Sequence, residues 1–165
     1  MAKPLLAMLL GSTSLAVGDK APDFTLPDTE GAPVTLSALL RKGPVILAFY
    51  PKAFTPGCTK QNRSFRDRYP EVEKRGAQVV GISTDGVETQ RRFKAEHGLP
   101  YTLLSDEGGK VAAAYSGKVP ILGLANRANF VIGEDGIITA IVEGGAAVDP
   151  TAAIAQCPLG KRGQP

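Results

Sequence analysis

One uninterrupted apolar run constrains the fold of this chain more than any other feature. Residues 45–50 read VILAFY, which has the length of a strand and the pattern typical of a strand buried on both faces of a sheet. A second run of the same kind, AQVVGIST, occupies residues 77–84. Two buried strands separated by a helical stretch predict a parallel β-α-β unit, and therefore an α/β domain.

The stretch between the two runs is predicted to be helical from near Cys58 onward. Phe65, Tyr69 and Val72 recur at i, i+4 and i+7, with charged residues on the other faces. Pro70 lies inside this pattern, and proline removes a helical hydrogen bond and clashes with the preceding turn. We therefore expect a kink or a break just before it.

The remaining segments alternate between strand and helix patterns. Before the first apolar run, they predict a hairpin of residues 23–26 with 33–36 and a short helix capped by Ser37. After the second run, they predict a helix at 87–97 ended by Gly98, a strand at 101–105 and a helix at 110–115. The last part is predicted to hold a hairpin of 130–132 with 137–142, a flexible linker at 143–147 and a closing helix from Asp149-Pro150 to Gln156. This order predicts a mixed central sheet with helices on both faces and an N-terminal β-hairpin. It resembles the layout of an elaborated thioredoxin-like fold.

Length and composition favour one globular domain at residues 17–165. The chain has 165 residues, 43% of them hydrophobic, which suffices for a core that needs no disulfides. Residues 1–16 combine Lys3, an apolar stretch and the small residues Ser14 and Ala16. This segment is expected to be either a short secretory signal or an N-terminal tail, so both a cytoplasmic and an exported location stay open.

Charge and composition also disfavour several classes of protein. The formal charge is only +3, and no interleaved aromatic and basic residues suggest a nucleic-acid surface. No apolar run approaches the roughly 20 residues of a membrane-spanning helix. Two cysteines and one histidine offer neither a disulfide scaffold nor a structural zinc site. We expect no cofactor and no metal, and neither nucleic acid nor membrane as a partner.

Cys58 is the candidate nucleophile, because it follows the carboxyl end of the predicted central strand. Open α/β sheets place their ligands at that edge. A cysteine on the first turn of a helix faces the positive end of the helix dipole and unpaired N–H groups, which favour its thiolate. Lys60, Arg63, Arg66 and Arg68 add positive charge, although the helical period must turn some of them away from the sulfur.

The motif Pro51-x-x-x-Thr55-x-x-Cys58 resembles the active-site signature of the peroxiredoxins. Residues 17–24 (VGDKAPDF) resemble the usual opening of that family, and residues 127–132 (RANFVI) resemble its arginine-bearing strand. The peroxiredoxin Q or bacterioferritin-comigratory-protein branch of the AhpC/TSA superfamily is most similar. The resemblance implies a peroxidatic Cys58, a peroxide held by Thr55 and the Cys58 N–H, shielding by Pro51, and orientation by Arg127.

The resemblance also raises the question of a resolving thiol. Many relatives carry a second cysteine five residues after the first, where this chain has Arg63. Only Cys157 remains, and its Cys-Pro pair resembles the C-terminal resolving site of typical two-cysteine peroxiredoxins. A bridge from Cys58 to Cys157 within one chain, a bridge between subunits and a cycle completed by an external thiol all stay open. We favour Cys157 as the resolving residue, on a tail that Gly160, Gly163 and Pro165 predict to be mobile.

The resemblance implies a thiol-dependent peroxidase that reduces hydrogen peroxide, with thioredoxin or a similar dithiol as reductant. Alkyl hydroperoxides stay open as a second class of substrate. It implies no metal, flavin or haem, and either a monomer or a homodimer. The alternative is a peroxide-sensing or chaperone-like redox binding protein, in which oxidation of Cys58 changes a partner surface. A disulfide oxidoreductase is disfavoured because the chain has no CxxC pair.

Overall fold

The computed structural model describes residues 15–161, so the predicted signal or tail segment lies almost wholly outside the described residues. The strands are β1 (Thr25–Pro27), β2 (Pro33–Thr35), β3 (Val45–Phe49), β4 (Gln78–Ser83), β5 (Thr102–Ser105), β6 (Ala128–Ile132) and β7 (Ile138–Glu143). The helices are α1 (Leu36–Leu40), α2 (Pro56–Asp67), α3 (Tyr69–Lys74), α4 (Val87–His97), α5 (Lys110–Ala114) and α6 (Thr151–Ala155). No helix among these residues is long and apolar enough to cross a membrane.

The central sheet is mixed and has the strand order β5-β4-β3-β6-β7. β3, β4 and β5 are parallel, because α2 with α3 and then α4 return the chain to the starting edge between them. β6 runs antiparallel to β3 and pairs with β7 across a short turn. β1 and β2 form a separate antiparallel hairpin. The predicted mixed sheet and N-terminal hairpin are therefore confirmed.

Helices cover both faces of the sheet, as the continuous apolar run of β3 requires. Ile46 and Ala48 point to a core that also holds residues of α2, α3, α4 and α6. Val45, Leu47 and Phe49 point to the other core, which is closed by α1 and α5. All five residues of β3 are fully buried. β3 therefore sits at the centre of the molecule, and its carboxyl end opens toward α2.

Two local predictions about helix ends are confirmed. α2 ends at Asp67 and α3 begins at Tyr69 with Pro70 in its first turn, so the helical stretch breaks where the proline requires it. Gly98 ends α4 in a left-handed conformation with a φ of 57°. The predicted cap of α1 is wrong. Ser37 lies inside α1, after Thr35, and its N–H donates to Asp23 Oδ1 at 2.9 Å.

The predictions of a flexible linker and of a mobile tail are wrong for the residues that the structure describes. Gly144–Val148 forms a 3-10 helix, and Ala147 is buried against the sheet. Gly160 is packed so closely that a Cβ there would lie 2.6 Å from the Gly76 carbonyl oxygen. Small residues allow close approach as well as flexibility, and here close approach is the reason for them. Gly163 and Pro165 lie outside the described residues.

Candidate active site

The loop between β3 and α2 carries Pro51, Thr55 and Cys58 to the carboxyl end of the central strand. Thr55 is the residue before α2, Pro56 begins the helix, and Cys58 lies in its first turn. The Thr55 hydroxyl donates to the Lys52 carbonyl at 2.7 Å, which closes the loop on itself. The first N–H groups of a helix have no intrahelical acceptor, so Cys58 lies where donors for an anion are available.

A part-buried tether joins this loop to the end of β4. Asp85 Oδ2 accepts the Ala53 N–H at 2.7 Å and also the Ser83 hydroxyl at 2.7 Å. The next residue, Phe54, has a φ of 67°, an uncommon conformation for a residue with a side chain. Its ring packs edge-on against Phe93 of α4. Asp85 was not singled out from the sequence, where Asp85-Gly86 indicates only a turn before a helix.

Among residues 15–161, the cation that contacts the Cys58 sulfur directly is Arg127. Arg127 Nη2 donates to Cys58 Sγ at 3.4 Å, and Cys58 is only 1% exposed. Arg127 immediately precedes β6, which pairs with β3, so the sheet brings the two residues together across 69 positions of sequence. A guanidinium keeps its charge and can donate to two partners at once. Gly57 leaves the space for it, since a Cβ there would lie 2.9 Å from Arg127 Nη2.

A chain of buried amides holds the guanidinium in place. Arg127 Nη1 donates to Gln61 Oε1 at 2.6 Å, and Gln61 Nε2 donates to Asn129 Oδ1 at 3.0 Å. Asn129 Nδ2 in turn donates to the Ala147 carbonyl at 2.9 Å. Gln61 and Asn129 are fully buried, where an unmade hydrogen bond would be costly. The 3-10 helix thus supports the position of Arg127 through two side chains.

The other cations predicted to lie near Cys58 point elsewhere. Arg66 pairs with Asp67 at 2.9 Å and donates to the His97 carbonyl. Arg68 pairs with Glu71 at 2.7 Å. Lys60 and Arg63 are exposed. They lie three positions apart and therefore share the outer side of α2, away from its buried face.

Cys157 lies at the opposite end of β3 from Cys58. Its carbonyl accepts Arg75 Nη1 at 2.9 Å, and the Gly160 N–H donates to the Arg75 carbonyl at 2.7 Å. Both contacts lie beside Gly76, which precedes β4, whereas Cys58 follows the end of β3. Five residues of strand separate the two edges by about 16 Å at a rise of about 3.3 Å per residue. Burial raises the pKa of the Cys157 thiol to about 11, although Arg75 opposes the shift.

The assembled site is suited to the chemistry of a single thiolate. A buried cysteine at a helix N-terminus, with a guanidinium on its sulfur and donors around it, can attack a small electrophile and stabilise the charge that develops. Both cysteines are free. Among residues 15–161 there is no cluster of three or more histidine, cysteine or acidic side chains that could hold a metal ion. Fold and site together define a thioredoxin-like protein whose candidate nucleophile is a cysteine in the first turn of a helix.

The chain belongs to the AhpC/TSA family, whose profile matches residues 17–141. It is 46% identical over 122 residues to the chloroplastic peroxiredoxin Q of Sedum lineare, a match that covers 73% of this chain and 65% of that protein. The structure of peroxidoxin BcpB from Mycobacterium tuberculosis superposes with a TM-score of 0.81 at 43% identity, over 86% of this chain and 96% of that one. The chain therefore spans just under two thirds of the Sedum protein but nearly all of the mycobacterial one.

A third relative has been studied for its reaction with peroxides. The bacterioferritin comigratory protein of Xanthomonas campestris, whose structure comes from a study of its alkyl peroxide reduction activity, superposes with a TM-score of 0.74 at 26% identity, over 87% of this chain and 95% of that one. These comparisons confirm the thioredoxin-like fold and the peroxiredoxin Q branch that the Pro51, Thr55 and Cys58 motif resembles.

Proposed function

We propose that this protein is a thiol-dependent peroxidase that reduces hydrogen peroxide and alkyl hydroperoxides at Cys58. The contact between Arg127 Nη2 and Cys58 Sγ at 3.4 Å carries this proposal, because it puts a permanent cation on a buried sulfur at a helix N-terminus. The relatives named peroxiredoxin Q and BcpB support it, as does the Xanthomonas campestris protein studied for alkyl peroxide reduction.

The proposed reaction needs only groups that meet at this site. The Cys58 thiolate attacks one oxygen of the peroxide, an S–O bond forms and the O–O bond breaks. Cys58 becomes a sulfenic acid, while the other oxygen leaves as an alkoxide or hydroxide and takes up a proton to give an alcohol or water. Arg127 is the group that stabilises the thiolate and orients the peroxide. In this proposal the Thr55 hydroxyl and the N–H groups of the first turn bind the oxygens.

Shielding is the proposed role of Pro51, which is half-buried at the loop that covers the sulfur. Because Cys58 is 1% exposed, a small molecule such as a hydroperoxide needs less movement of the loop to approach the sulfur than a larger reactant does. A bulky thiol has to wait for the first turn of α2 to open. This difference favours peroxide as the first reactant and a reductant as the second.

Recycling requires a second thiol that condenses with the sulfenic acid. Cys157 could supply it only if the segment held by Arg75 is released, since a disulfide needs Cα atoms within about 7 Å. A bridge to Cys157 of a second copy requires the same release. An external dithiol such as thioredoxin needs only the opening of the Cys58 turn, and this route is therefore the one that we propose.

The experiment compares the wild type with Cys58→Ser and Cys157→Ser. Peroxide consumption is followed with thioredoxin and its reductase, and the oxidised wild type is analysed by nonreducing mass spectrometry. We expect no turnover from Cys58→Ser and retained turnover from Cys157→Ser. Turnover by Cys58→Ser would refute the peroxidase proposal. A Cys58 to Cys157 bridge, with turnover lost in Cys157→Ser, would replace the external-thiol route by a two-cysteine cycle.

A further inference from the structure

Asn62 is a buried amide on the same face of α2 as Cys58, and its side chain bonds to the backbone of that cysteine. Asn62 follows Cys58 by four positions and is fully buried. Its Nδ2 donates to the Cys58 carbonyl oxygen at 2.9 Å. That carbonyl is also the regular acceptor of the Asn62 N–H in an α-helix, so two donors hold it. The first turn of α2 therefore cannot unwind past Cys58 without breaking the side-chain bond as well.

Tyr101 anchors the Asn62 side chain from outside the helix. It immediately precedes β5, and its hydroxyl lies 2.8 Å from the Asn62 carbonyl oxygen and 2.9 Å from Asn62 Oδ1. Burial raises the pKa of Tyr101 well above its ordinary value, so the hydroxyl keeps its proton and remains a donor. The contacts thus run from Tyr101 through Asn62 to the backbone of Cys58.

This polar pair lies in an otherwise apolar core. Tyr101 shares a cluster of buried apolar side chains with Cys58 and Leu103. Gly81 of β4 leaves room for the amide, since a Cβ there would lie 3.3 Å from Asn62 Oδ1. Asparagine is a poor residue for the interior of a helix, and a buried amide is costly unless it is hydrogen-bonded. Packing alone would favour an apolar residue here, so the pair calls for a role beyond packing.

We propose that Asn62 and Tyr101 form a latch that keeps the first turn of α2 closed and thereby sets which reactants reach Cys58. With the latch closed, the sulfur stays beside Arg127, where a small hydroperoxide needs the least movement to reach it. A larger reactant reaches the sulfur only when the latch releases the turn. The inference rests on the proposed function, which assigns the closed turn to the peroxide. Both are positioning residues, because they act through the Cys58 backbone.

Three variants isolate the latch, and all of them carry Cys157→Ser so that only Cys58 can react. Asn62→Leu removes the bond to the Cys58 carbonyl with a side chain of similar size. Tyr101→Phe removes only the hydroxyl, and N62L/Y101F removes both groups. Replacing both partners of a buried hydrogen bond by apolar groups of similar shape can leave stability nearly unchanged, so the double variant separates the latch from the stability of the fold.

The matched control is Tyr115→Phe. Tyr115 is also buried and its hydroxyl also donates to a backbone carbonyl, that of Pro22, but it lies in the other core. Alkylation of Cys58 by a pyrene maleimide, a large reagent, is compared with its oxidation by hydrogen peroxide, a small one. Both reactions use the thiolate, so a change in the acidity of the thiol alters both rates and cancels in their ratio. Unfolding in urea is measured in parallel.

We expect Asn62→Leu to make alkylation about threefold to tenfold faster, which is the effect of one net hydrogen bond. Oxidation by hydrogen peroxide should not rise with it. Tyr101→Phe should act in the same direction, and N62L/Y101F should stay within about twofold of Asn62→Leu, because the hydroxyl acts through Asn62. Tyr115→Phe should lower stability in urea and leave both rates within about twofold.

Four results would overturn the inference. They are unchanged alkylation in either single variant, an equal gain in Tyr115→Phe, a parallel rise in peroxide oxidation, and a gain in the double variant equal to the product of the two single gains. If Asn62→Leu does not fold, Tyr101→Phe against Tyr115→Phe still decides. The proposed function fails separately: if peroxide does not oxidise Cys58, that function is wrong, whereas the alkylation rates still test the latch.

Discussion

The contact between Arg127 and Cys58 can be disturbed without touching either residue, by the change Gly57→Ala. A Cβ at this position would lie 2.9 Å from Arg127 Nη2, which is closer than the ordinary contact distance of at least 3.4 Å. The guanidinium must therefore retreat by about half an ångström or more, since atoms in close-packed sites cannot overlap. Its Nη2 already lies 3.4 Å from the sulfur, so a retreat away from the sulfur lengthens and weakens this hydrogen bond.

The magnitude is bounded by the kind of bond that is weakened. A hydrogen bond to a charged group contributes about 1.5–3 kcal/mol. Since about 1.4 kcal/mol corresponds to a factor of ten in rate, Gly57→Ala should slow oxidation of Cys58 by up to roughly a hundredfold. Stability should be unchanged or slightly higher, because alanine is better than glycine in a helix by up to about 1 kcal/mol.

Stopped-flow measurement of Cys58 oxidation by hydrogen peroxide checks this prediction, with Tm measured in parallel. Gly145→Ala is the matched control, because nothing lies within 4 Å of a Cβ built there. The control should react at the wild-type rate. If Gly57→Ala were equally fast, the Arg127 contact would not contribute to the reaction and our reasoning about it would be refuted.

Three further predictions concern the residues that hold the loop and the C-terminal segment. Asp85→Ala should lower the free energy of unfolding in urea by about 1–3 kcal/mol, because the buried Ala53 N–H loses its acceptor; it should also slow peroxide consumption, and an unchanged rate would contradict a role in loop positioning. The raised pKa of Cys157, about 11, means that the folded protein keeps a proton that the unfolded chain loses near pH 9. The stability of the wild type should therefore fall between pH 9 and 11 by about 1–3 kcal/mol more than that of Cys157→Ser, and equal curves would refute the burial argument. In Gly160→Ala the new Cβ would meet the Gly76 carbonyl oxygen at 2.6 Å, so Tm should fall. Alkylation of Cys157 should become about tenfold faster, because local opening controls the modification of buried groups; unchanged alkylation would show that the segment absorbs the clash.

Much of the fold was predictable because a few patterns are unambiguous. The apolar run at 45–50 predicts a strand buried on both faces of a sheet, and β3 at the centre of the sheet is such a strand. Pro70 interrupts the helical stretch as predicted, because a proline inside a helix removes a backbone hydrogen bond. The errors fell on small residues, since the pattern at 143–147 does not distinguish flexible chain from a 3-10 helix packed on Asn129.

The site was less predictable from residues alone, because its contacts are far apart in sequence. Only the family resemblance pointed to Arg127, and no local pattern indicates that Asn129 supports it. A signal did exist for Gln61, which shares the buried side of α2 with Cys58 and Phe65. An amide in such a position needs a buried partner. Cys157 shows the opposite problem, since sequence cannot tell that it lies at the far end of β3.

Our central claim is that peroxide reacts with Cys58 at the contact with Arg127. The most direct measurement is peptide mass spectrometry of the protein after one equivalent of hydrogen peroxide, with a reagent that traps sulfenic acid. We predict that the label appears on the Cys58 peptide, that it is absent from the Cys157 peptide, and that Arg127→Ala sharply reduces it while Arg63→Ala does not. A label on Cys157 alone, or full labelling of Cys58 in Arg127→Ala, would contradict the claim.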